Sequence, residues 1–201
     1  THHGLMDIGF MRMMPNMVLT APANDVEMKL ALEFALSENG PVVIRYPKDV
    51  VPPRKFVRAA CSKPFRLGKR VVVKKAKDSR IAIGCYGSVL TEALKAADLL
   101  ADEDIAVDVI NARFAAPVDK NIISLLDEGK GIITVEDHLM ACGFGSALLE
   151  LAAETNNQTA RARHKQESHN TIRLLGAPRA LIGHDSRDAQ LMEAGVNADK
   201  I

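Results

Sequence analysis

Short apolar runs alternate with amphipathic segments along nearly the whole chain, and this alternation limits the available folds more than any other feature. Apolar runs typical of strands cover residues 17–19, 41–46, 71–73, 81–84, 106–110, 131–135 and 171–175. Helical periodicity covers residues 25–37, 88–101, 119–126, 143–154 and 187–193. Strands and helices that alternate through short loops form a mostly parallel sheet with helices on both faces. The sequence therefore predicts an α/β fold.

Polar side chains mark the starts of three predicted helices. Asn24 or Asp25 can cap the first helix, Ser88 the second and Asp119 the third. A side-chain oxygen at this position accepts a hydrogen bond from a backbone N–H that has no partner within the helix. We therefore expect these helices to begin directly after the capping residues.

Proline and basic residues divide the chain into two parts. Residues 51–77 include three prolines and show no clear period, which is typical of a connection between domains. We predict a first unit over 1–50, a linker over 51–77 and a second unit over 78–201. Strands at 71–73 and 81–84 flank a polar run, and this pattern predicts a β-hairpin.

Positive charge is concentrated in residues 51–80, which contain eleven Lys or Arg and one acid, although the whole chain has a net charge of only +1. Such a stretch can bind nucleic acid, but it carries only two aromatic side chains, Phe56 and Phe65, and no recognisable nucleic-acid-binding motif. We favour the alternative, a solvated strap that crosses an acidic surface of the same protein. No nucleic-acid partner is expected.

The sequence also argues against a membrane protein or a disulfide-stabilised one. No apolar run approaches the roughly 18–20 residues that span a bilayer, and the first residues lack the charged-then-apolar pattern of a signal peptide. The three cysteines, Cys61, Cys85 and Cys142, are widely spaced and form no CxxC pair. We therefore expect a cytoplasmic protein with no membrane partner, no disulfide and no zinc.

The densest polar cluster is Thr1-His2-His3-Gly4, with Asp7 close by. A metal site needs two or more ligands at fixed spacing, and adjacent histidines point in different directions. A histidine that donates to a substrate oxygen or phosphate fits better, because the neighbouring glycine lets a ligand approach closely. An ordinary exposed loop is the alternative.

Two cations, Arg45 and Lys48, stand at the end of the predicted strand over 41–46. In an open parallel sheet the ligand crevice lies beyond the carboxyl ends of the strands. Cations there can bind a phosphate or carboxylate, Arg through a two-pronged geometry and Lys as a point charge. The alternative is a pair of surface charges that end a strand.

A third polar cluster, Glu136-Asp137-His138, follows the predicted strand over 131–135, and the glycine-rich sequence GFGS at 143–146 opens the next helix. A helix N-terminus with glycines can cradle an anion, but GFGS is only a fragment of the GxGxxG fingerprint. We favour close helix–sheet packing or a subunit contact. Since the sequence has no P-loop, HExxH, GxSxG or GDG metal motif, these residues alone leave the function open.

Four longer segments carry more specific patterns. They are THHGLMDIGFMRMMPNMVLTAPANDVEM, GPVVIRYPKD, VEDHLMACGFGSALLE and LGAPRALIGHDSRDAQLMEAGVNADKI, in this order. Together they resemble the 1-deoxy-D-xylulose-5-phosphate synthase family of transketolase-like proteins. The resemblance covers essentially all 201 residues and is more specific than the general transketolase pattern.

The resemblance implies a transferase that uses thiamine diphosphate and Mg²⁺ and acts as a homodimer. The family condenses pyruvate with glyceraldehyde 3-phosphate, with loss of CO₂, to 1-deoxy-D-xylulose 5-phosphate for isoprenoid, thiamine and pyridoxal biosynthesis. Residues 1–50 would be the end of the pyrimidine-binding domain and 78–201 the transketolase C-terminal domain. The family's cofactor and metal motifs lie in segments that this sequence lacks, so the chain alone is expected to bind neither group and to be inactive.

The resemblance also assigns the site residues. His2 matches the THHG histidine that contacts the sugar-phosphate acceptor, and it is the predicted catalytic residue. Arg45 matches the first Arg of the family's RYPRG motif, Lys48 replaces the second, and Asp49 replaces the glycine beside it. The predicted substrate-binding residues are therefore His2, Arg45 and Lys48, with no cofactor or metal residue in this segment.

Three alternatives stay open. The chain can be the small subunit of a split transketolase that completes its active site with a partner chain. It can be a protein of the 2-oxo acid dehydrogenase β type. It can also be a non-catalytic module in which residues 78–201 serve only dimerisation.

Overall fold

The computed structural model describes residues 4–52, 59–159 and 171–201. The strands are β1 (Val18–Thr20), β2 (Val42–Ile44), β3 (Val71–Lys74), β4 (Ile81–Cys85), β5 (Val107–Asn111), β6 (Phe114–Ala116), β7 (Gly131–Leu139) and β8 (Ile172–Ala177). The helices are α1 (Asp7–Met11), α2 (Asp25–Ser37), α3 (Leu90–Asp102), α4 (Ser124–Asp127), α5 (Phe144–Thr159) and α6 (Arg187–Ala194). No helix in these ranges is both long enough and apolar enough to cross a bilayer.

The strands form two sheets. In the smaller sheet, of order β2-β1-β6, β1 runs parallel to β2 and antiparallel to β6. The larger sheet has the order β3-β5-β4-β7-β8, and its four strands β5, β4, β7 and β8 are parallel. The predicted α/β fold with a mostly parallel sheet is confirmed.

Helices cover both faces of the larger sheet. Because side chains alternate along a strand, Ala82 of β4 packs into the cluster that contains Leu148 of α5, while Ile83 packs into the cluster that contains Leu94 of α3. All four side chains are fully buried. Apolar residues on both faces therefore explain why β4 reads as a continuous apolar run.

The predicted hairpin between the strands near 71–73 and 81–84 is wrong. β5 lies between β3 and β4, pairing antiparallel with β3 and parallel with β4. The crossover through α3 brings β5 beside β4, as expected for a strand–helix–strand unit. β3 is left to pair with the outer edge of β5, and the backbone N–H of Ala76 donates to the buried Asp108 of β5 at 2.9 Å.

Two of the three predicted helix caps are present. Asn24 accepts a hydrogen bond from the backbone of Glu27 at 3.0 Å, as an N-cap should. Asp119 caps a 3₁₀ turn that precedes α4. Ser88 lies inside a 3₁₀ turn before α3 and caps no helix, because its hydroxyl accepts a hydrogen bond from Arg187 instead.

The basic segment contacts acidic groups of the same chain, in agreement with the strap interpretation. Its cations reach carboxylates on α3, on β5 and at the cap before α4, through the ion pairs Lys74–Asp98, Lys75–Asp108 and Arg70–Asp119. Residues 53–58 of the segment lie outside the described residues.

A buried ion pair joins the two sheets. The guanidinium Nε of Arg113, in the turn between β5 and β6, lies 2.7 Å from Oε1 of Glu27 on α2, and both side chains are at most 1% exposed. Arg113 also donates to the backbone carbonyls of Cys61, Lys63 and Pro64. The Arg113 side chain therefore links the first fifty residues, the segment after them and the turn that follows β5 of the larger sheet. The predicted division of the chain by a linker over 51–77 stays a prediction.

The GFGS segment packs against a strand rather than surrounding an open anion site. The Glu136 carboxylate accepts hydrogen bonds from the backbone N–H groups of Phe144 at 2.8 Å and Gly145 at 3.0 Å. A Cβ at Gly143 would overlap this carboxylate. The N-terminus of α5 thus binds a carboxyl group that the chain itself supplies, and close packing explains the glycines.

Replacing Arg113 with Met tests the buried pair. The variant leaves the Glu27 carboxylate buried without its cation, so we expect the free energy of unfolding in urea to fall by about 3–5 kcal/mol. The control is Lys95→Met, which removes an exposed pair with Glu92 on α3 and should cost less than about 1 kcal/mol. Equal losses in the two variants would show that Arg113 does not hold the sheets together.

Glu136 gives the fold a pH dependence. Burial raises the pKa of Glu136 from 4.5 to about 7, and hydrogen bonds from Gly145 and Phe144 offset only part of this effect. The folded state therefore binds more protons than the unfolded state between these values, and this group's contribution to stability is lost as pH rises through about 7.

The test compares unfolding of the wild type and Glu136→Gln at pH 5 and pH 8. Between these values the wild type should lose on the order of 2–3 kcal/mol relative to the variant. The comparison cancels the opposing effect of His138, whose pKa is lowered by burial. A constant difference between the two proteins would contradict the assignment.

Candidate functional site

A cleft of about 690 Å³ opens beyond the carboxyl ends of β2 and β7. One wall is the segment 45–48 that follows β2, and the other is formed by 184–187 and the first turns of α6. Gly4, Leu5 and Asp7 close one end. The cleft is therefore where an open parallel sheet is expected to bind its ligand.

Asp137 forms the floor of the cleft and binds two arginines. Its side chain is 10% exposed, with Arg45 bound to one carboxylate oxygen and Arg187 to the other, the latter at 3.1 Å. Burial would raise the pKa of Asp137, but the two guanidinium groups outweigh burial and the pKa is lowered. Asp137 is therefore a fixed negative charge that holds both arginines in place.

All three guanidinium nitrogens of Arg45 contact groups of the protein. Its Nε donates to both oxygens of Asp7, at 3.0 and 3.2 Å, and its Nη2 donates to the backbone carbonyls of Gly4 and Asp137. Burial would lower the pKa of Arg45, but Asp137 and Asp7 raise it. The guanidinium therefore stays charged and connects the end of β2 to α1 and to β7.

Arg187, the first residue of α6, faces Arg45 across Asp137. Its Nε lies 3.1 Å from a carboxylate oxygen of Asp49, and its Nη2 donates to Asp137 and to the Ser88 hydroxyl. The arginine thus joins the segment after β2, the turn before α3 and the floor of the cleft.

Lys48 differs from the two arginines. It lines the cleft and is exposed, and its ammonium has no hydrogen-bond or ion-pair partner within the part of the chain that the structure describes. The other cations of the cleft wall, Arg45 and Arg187, each form ion pairs with aspartates. Lys48 is therefore the cation available to an incoming anion.

The strand β7 sorts the Glu136-Asp137-His138 cluster onto two sides. These residues lie inside β7 and not after it, so alternation sends Asp137 to the cleft while its neighbours point away. His138 accepts a hydrogen bond at Nε2 from the backbone of Gly9 at 3.2 Å, and its Nδ1 is 2.7 Å from the Leu139 carbonyl. His138 is therefore a neutral, buried residue that holds α1.

The structure brings together two of the three predicted site residues. Arg45 and Lys48 both line the cleft, whereas His2 lies outside the described residues. Sequence reasoning gave no role to His184 and Arg187, which also line the cleft. The one sequence feature that could have indicated them is the segment GHDSRDAQ, which contributed to the family resemblance but was not assigned a role in binding.

The described residues do not fit a magnesium–diphosphate group. Within 4–52, 59–159 and 171–201, no three His, Cys, Asp or Glu side chains are grouped to hold a metal ion. The cleft carboxylates of Asp7 and Asp137 already bind arginines. Oxygen ligands for Mg²⁺ are therefore not available on the floor of this cleft.

Two models of known protein families match this chain. The family model described as transketolase, C-terminal domain, matches residues 68–201, and the one described as transketolase, pyrimidine binding domain, matches residues 1–53. Together the two models match both sheets and the segments that form the cleft.

Curated relatives are similar over the whole chain. A protein of Rhodopirellula baltica named 1-deoxy-D-xylulose-5-phosphate synthase is 35% identical over 202 residues, which is 100% of this chain and 29% of that protein. One of the same name from Halothermothrix orenii is 38% identical over 185 residues, 92% of this chain and 27% of that protein. The chain thus spans less than a third of the length of these relatives.

Solved structures show the same architecture. A split-gene transketolase, described as an inactive beta4 tetramer, superposes with a TM-score of 0.79 at 26% identity over 98% of this chain and 58% of that one. Transketolase from Campylobacter jejuni superposes with a TM-score of 0.60 at 17% identity over 98% of this chain and 27% of that one, and shows the fold alone. The chain therefore belongs to the transketolase family, with residues 1–53 similar to its pyrimidine-binding domain and residues 68–201 similar to its C-terminal domain.

Proposed function

We propose that this chain is part of a 1-deoxy-D-xylulose-5-phosphate synthase, which condenses pyruvate with glyceraldehyde 3-phosphate and releases CO₂. One observation carries the choice of reaction: relatives that are 35% and 34% identical over the whole chain both bear this name. The product would feed isoprenoid, thiamine and pyridoxal biosynthesis.

Within that enzyme, the role we assign to this chain is to bind the phosphorylated acceptor. A dianionic phosphate needs cations and hydrogen-bond donors that converge on it. Lys48 supplies an ammonium that has no partner among the described residues, and Arg45, paired with Asp7 and Asp137, shapes the floor of the cleft. We keep His2, which precedes Gly4 at the end of the cleft, as the residue that contacts the acceptor and orients its aldehyde.

Thiamine diphosphate and Mg²⁺ belong to the parent enzyme in this proposal. When bound, the cofactor supplies the carbanion chemistry that decarboxylates pyruvate. Since the described residues do not fit a magnesium–diphosphate group, we assign both to the part of the enzyme outside this chain. The chain alone would then be inactive.

Assembly and location complete the proposal. A homodimer is the arrangement we propose, and it is supported by the superposable split-gene transketolase, which is described as a beta4 tetramer. A cytoplasmic location fits the three cysteines, which form no disulfide within the described residues.

A second candidate is the small subunit of a split transketolase, which the superposition at a TM-score of 0.79 favours. The two candidates differ in their donor substrate. A synthase consumes pyruvate and releases CO₂, whereas a transketolase transfers a two-carbon unit between sugar phosphates. An assay of the complete enzyme with each donor separates them.

Lys48→Ala in the complete enzyme tests the acceptor role. The complete enzyme is this chain together with the part that supplies the remaining length of its relatives. Loss of one charge-assisted contact should raise the KM for glyceraldehyde 3-phosphate about tenfold and leave the KM for pyruvate unchanged. Lys48→Arg should keep or improve the acceptor's affinity, because it provides a forked donor.

The matched control is Lys77→Ala, which removes an exposed lysine that does not line the cleft. Its KM values should equal those of the unaltered enzyme. If Lys48→Ala raises the KM for pyruvate and leaves that for the acceptor unchanged, Lys48 is not an acceptor ligand.

A further inference from the structure

We propose that Arg187 and Lys48 form a two-cation site for the acceptor's phosphate, in which Asp49 competes with the phosphate for Arg187. The proposal rests on the function proposed above and extends it to a second cation and an internal competitor.

The carboxylate of Asp49 occupies the position that an incoming anion would take on Arg187. It lies 3.1 Å from Nε of the guanidinium and forms an ion pair with it. Asp49 is 34% exposed and Arg187 is 19% exposed, so the pair lies at the rim of the cleft within reach of solvent. Such a pair contributes little to stability and can exchange one anion for another.

Arg187 has a donor left over. Asp49, Asp137 and Ser88 use its Nε and Nη2, and Nη1 has no partner among the described residues. Asp137 and Ser88 hold the guanidinium from the floor of the cleft, so it keeps its orientation when Asp49 leaves. The vacated Nε would then offer its N–H to the phosphate, whereas Nη1 lies on the other edge of the guanidinium and does not share this contact.

Lys48 is placed to meet the same anion. It precedes Asp49 in the chain, and consecutive Cα atoms are about 3.8 Å apart, so the contact between Asp49 and Arg187 brings the backbone of Lys48 towards α6. Both cations line the cleft. A phosphate between them would meet one free ammonium and one guanidinium that Asp49 now neutralises.

This arrangement makes Asp49 a determinant of acceptor affinity. Its negative charge weakens phosphate binding because it occupies Arg187 and offsets the charge of the guanidinium. The negative charge of Asp49 would thus lower the affinity for phosphorylated acceptors without a contact between Asp49 and the sugar.

Inorganic phosphate is the probe, titrated into the 201-residue chain at low ionic strength and followed by calorimetry. Asp49→Asn should tighten the dissociation constant about three- to tenfold, and the gain should vanish in Asp49→Asn/Arg187→Gln and largely persist in Asp49→Asn/Arg187→Lys. The matched control is Asp185→Asn, which removes a carboxylate from the same cleft that forms no ion pair with Arg187 within the described ranges. It should change the constant less than twofold. Thermal unfolding of each variant verifies the fold.

Three results would overturn the proposal: no gain with Asp49→Asn, an equal gain with Asp185→Asn, or a gain that survives Arg187→Gln. Because phosphate binding requires no turnover, the result is independent of the reaction. Suppose that the gain with Asp49→Asn depends on Arg187 but the complete enzyme does not use pyruvate. The proposed function would then be refuted, and the proposed phosphate site would stand. Normal synthase activity, with no gain in phosphate affinity that depends on Arg187, would refute only the proposed phosphate site.

Discussion

A carboxylate that is almost removed from water must find positive charge within the protein, and Asp137 takes it from both arginines of the cleft. Arg45 comes from the end of β2 in the smaller sheet, and Arg187 comes from the start of α6. The shared carboxylate fixes the distance between the two walls of the cleft. Removing either arginine would leave Asp137 less than fully compensated, so the geometry of the cleft depends on both.

This constraint also decides which cations remain free. Five donor contacts keep Arg45 within the protein. Among the described residues, Nη1 of Arg187 and the ammonium of Lys48 have no partner. The chemistry of the cleft therefore follows from how its carboxylates are shared and not from the number of its cations.

Local patterns predicted most of the fold because they act over a few residues. The apolar runs and the caps at Asn24 and Asp119 needed no distant partner. The hairpin failed because β3 pairs with β5, which lies some thirty residues further on. Likewise Ser88 did not cap α3, since a side chain almost a hundred residues away uses its hydroxyl.

The candidate site was predictable only in part, for the same reason. Residues that end a strand, such as Arg45 and Lys48, could be assigned to the sheet's ligand edge from the sequence. Arg187 could not, because its role comes from contacts with Asp49 and Asp137 that only the folded chain creates.

In the site that we propose, Lys48, and not Arg45, meets the anion. Nuclear magnetic resonance on the chain with labelled lysine and arginine side chains, during titration with inorganic phosphate, tests it directly. We expect the Lys48 signals to shift with added phosphate while the Arg45 Nε signal, bound to Asp7, stays unchanged. A shift of Arg45 with Lys48 unaffected would contradict the account.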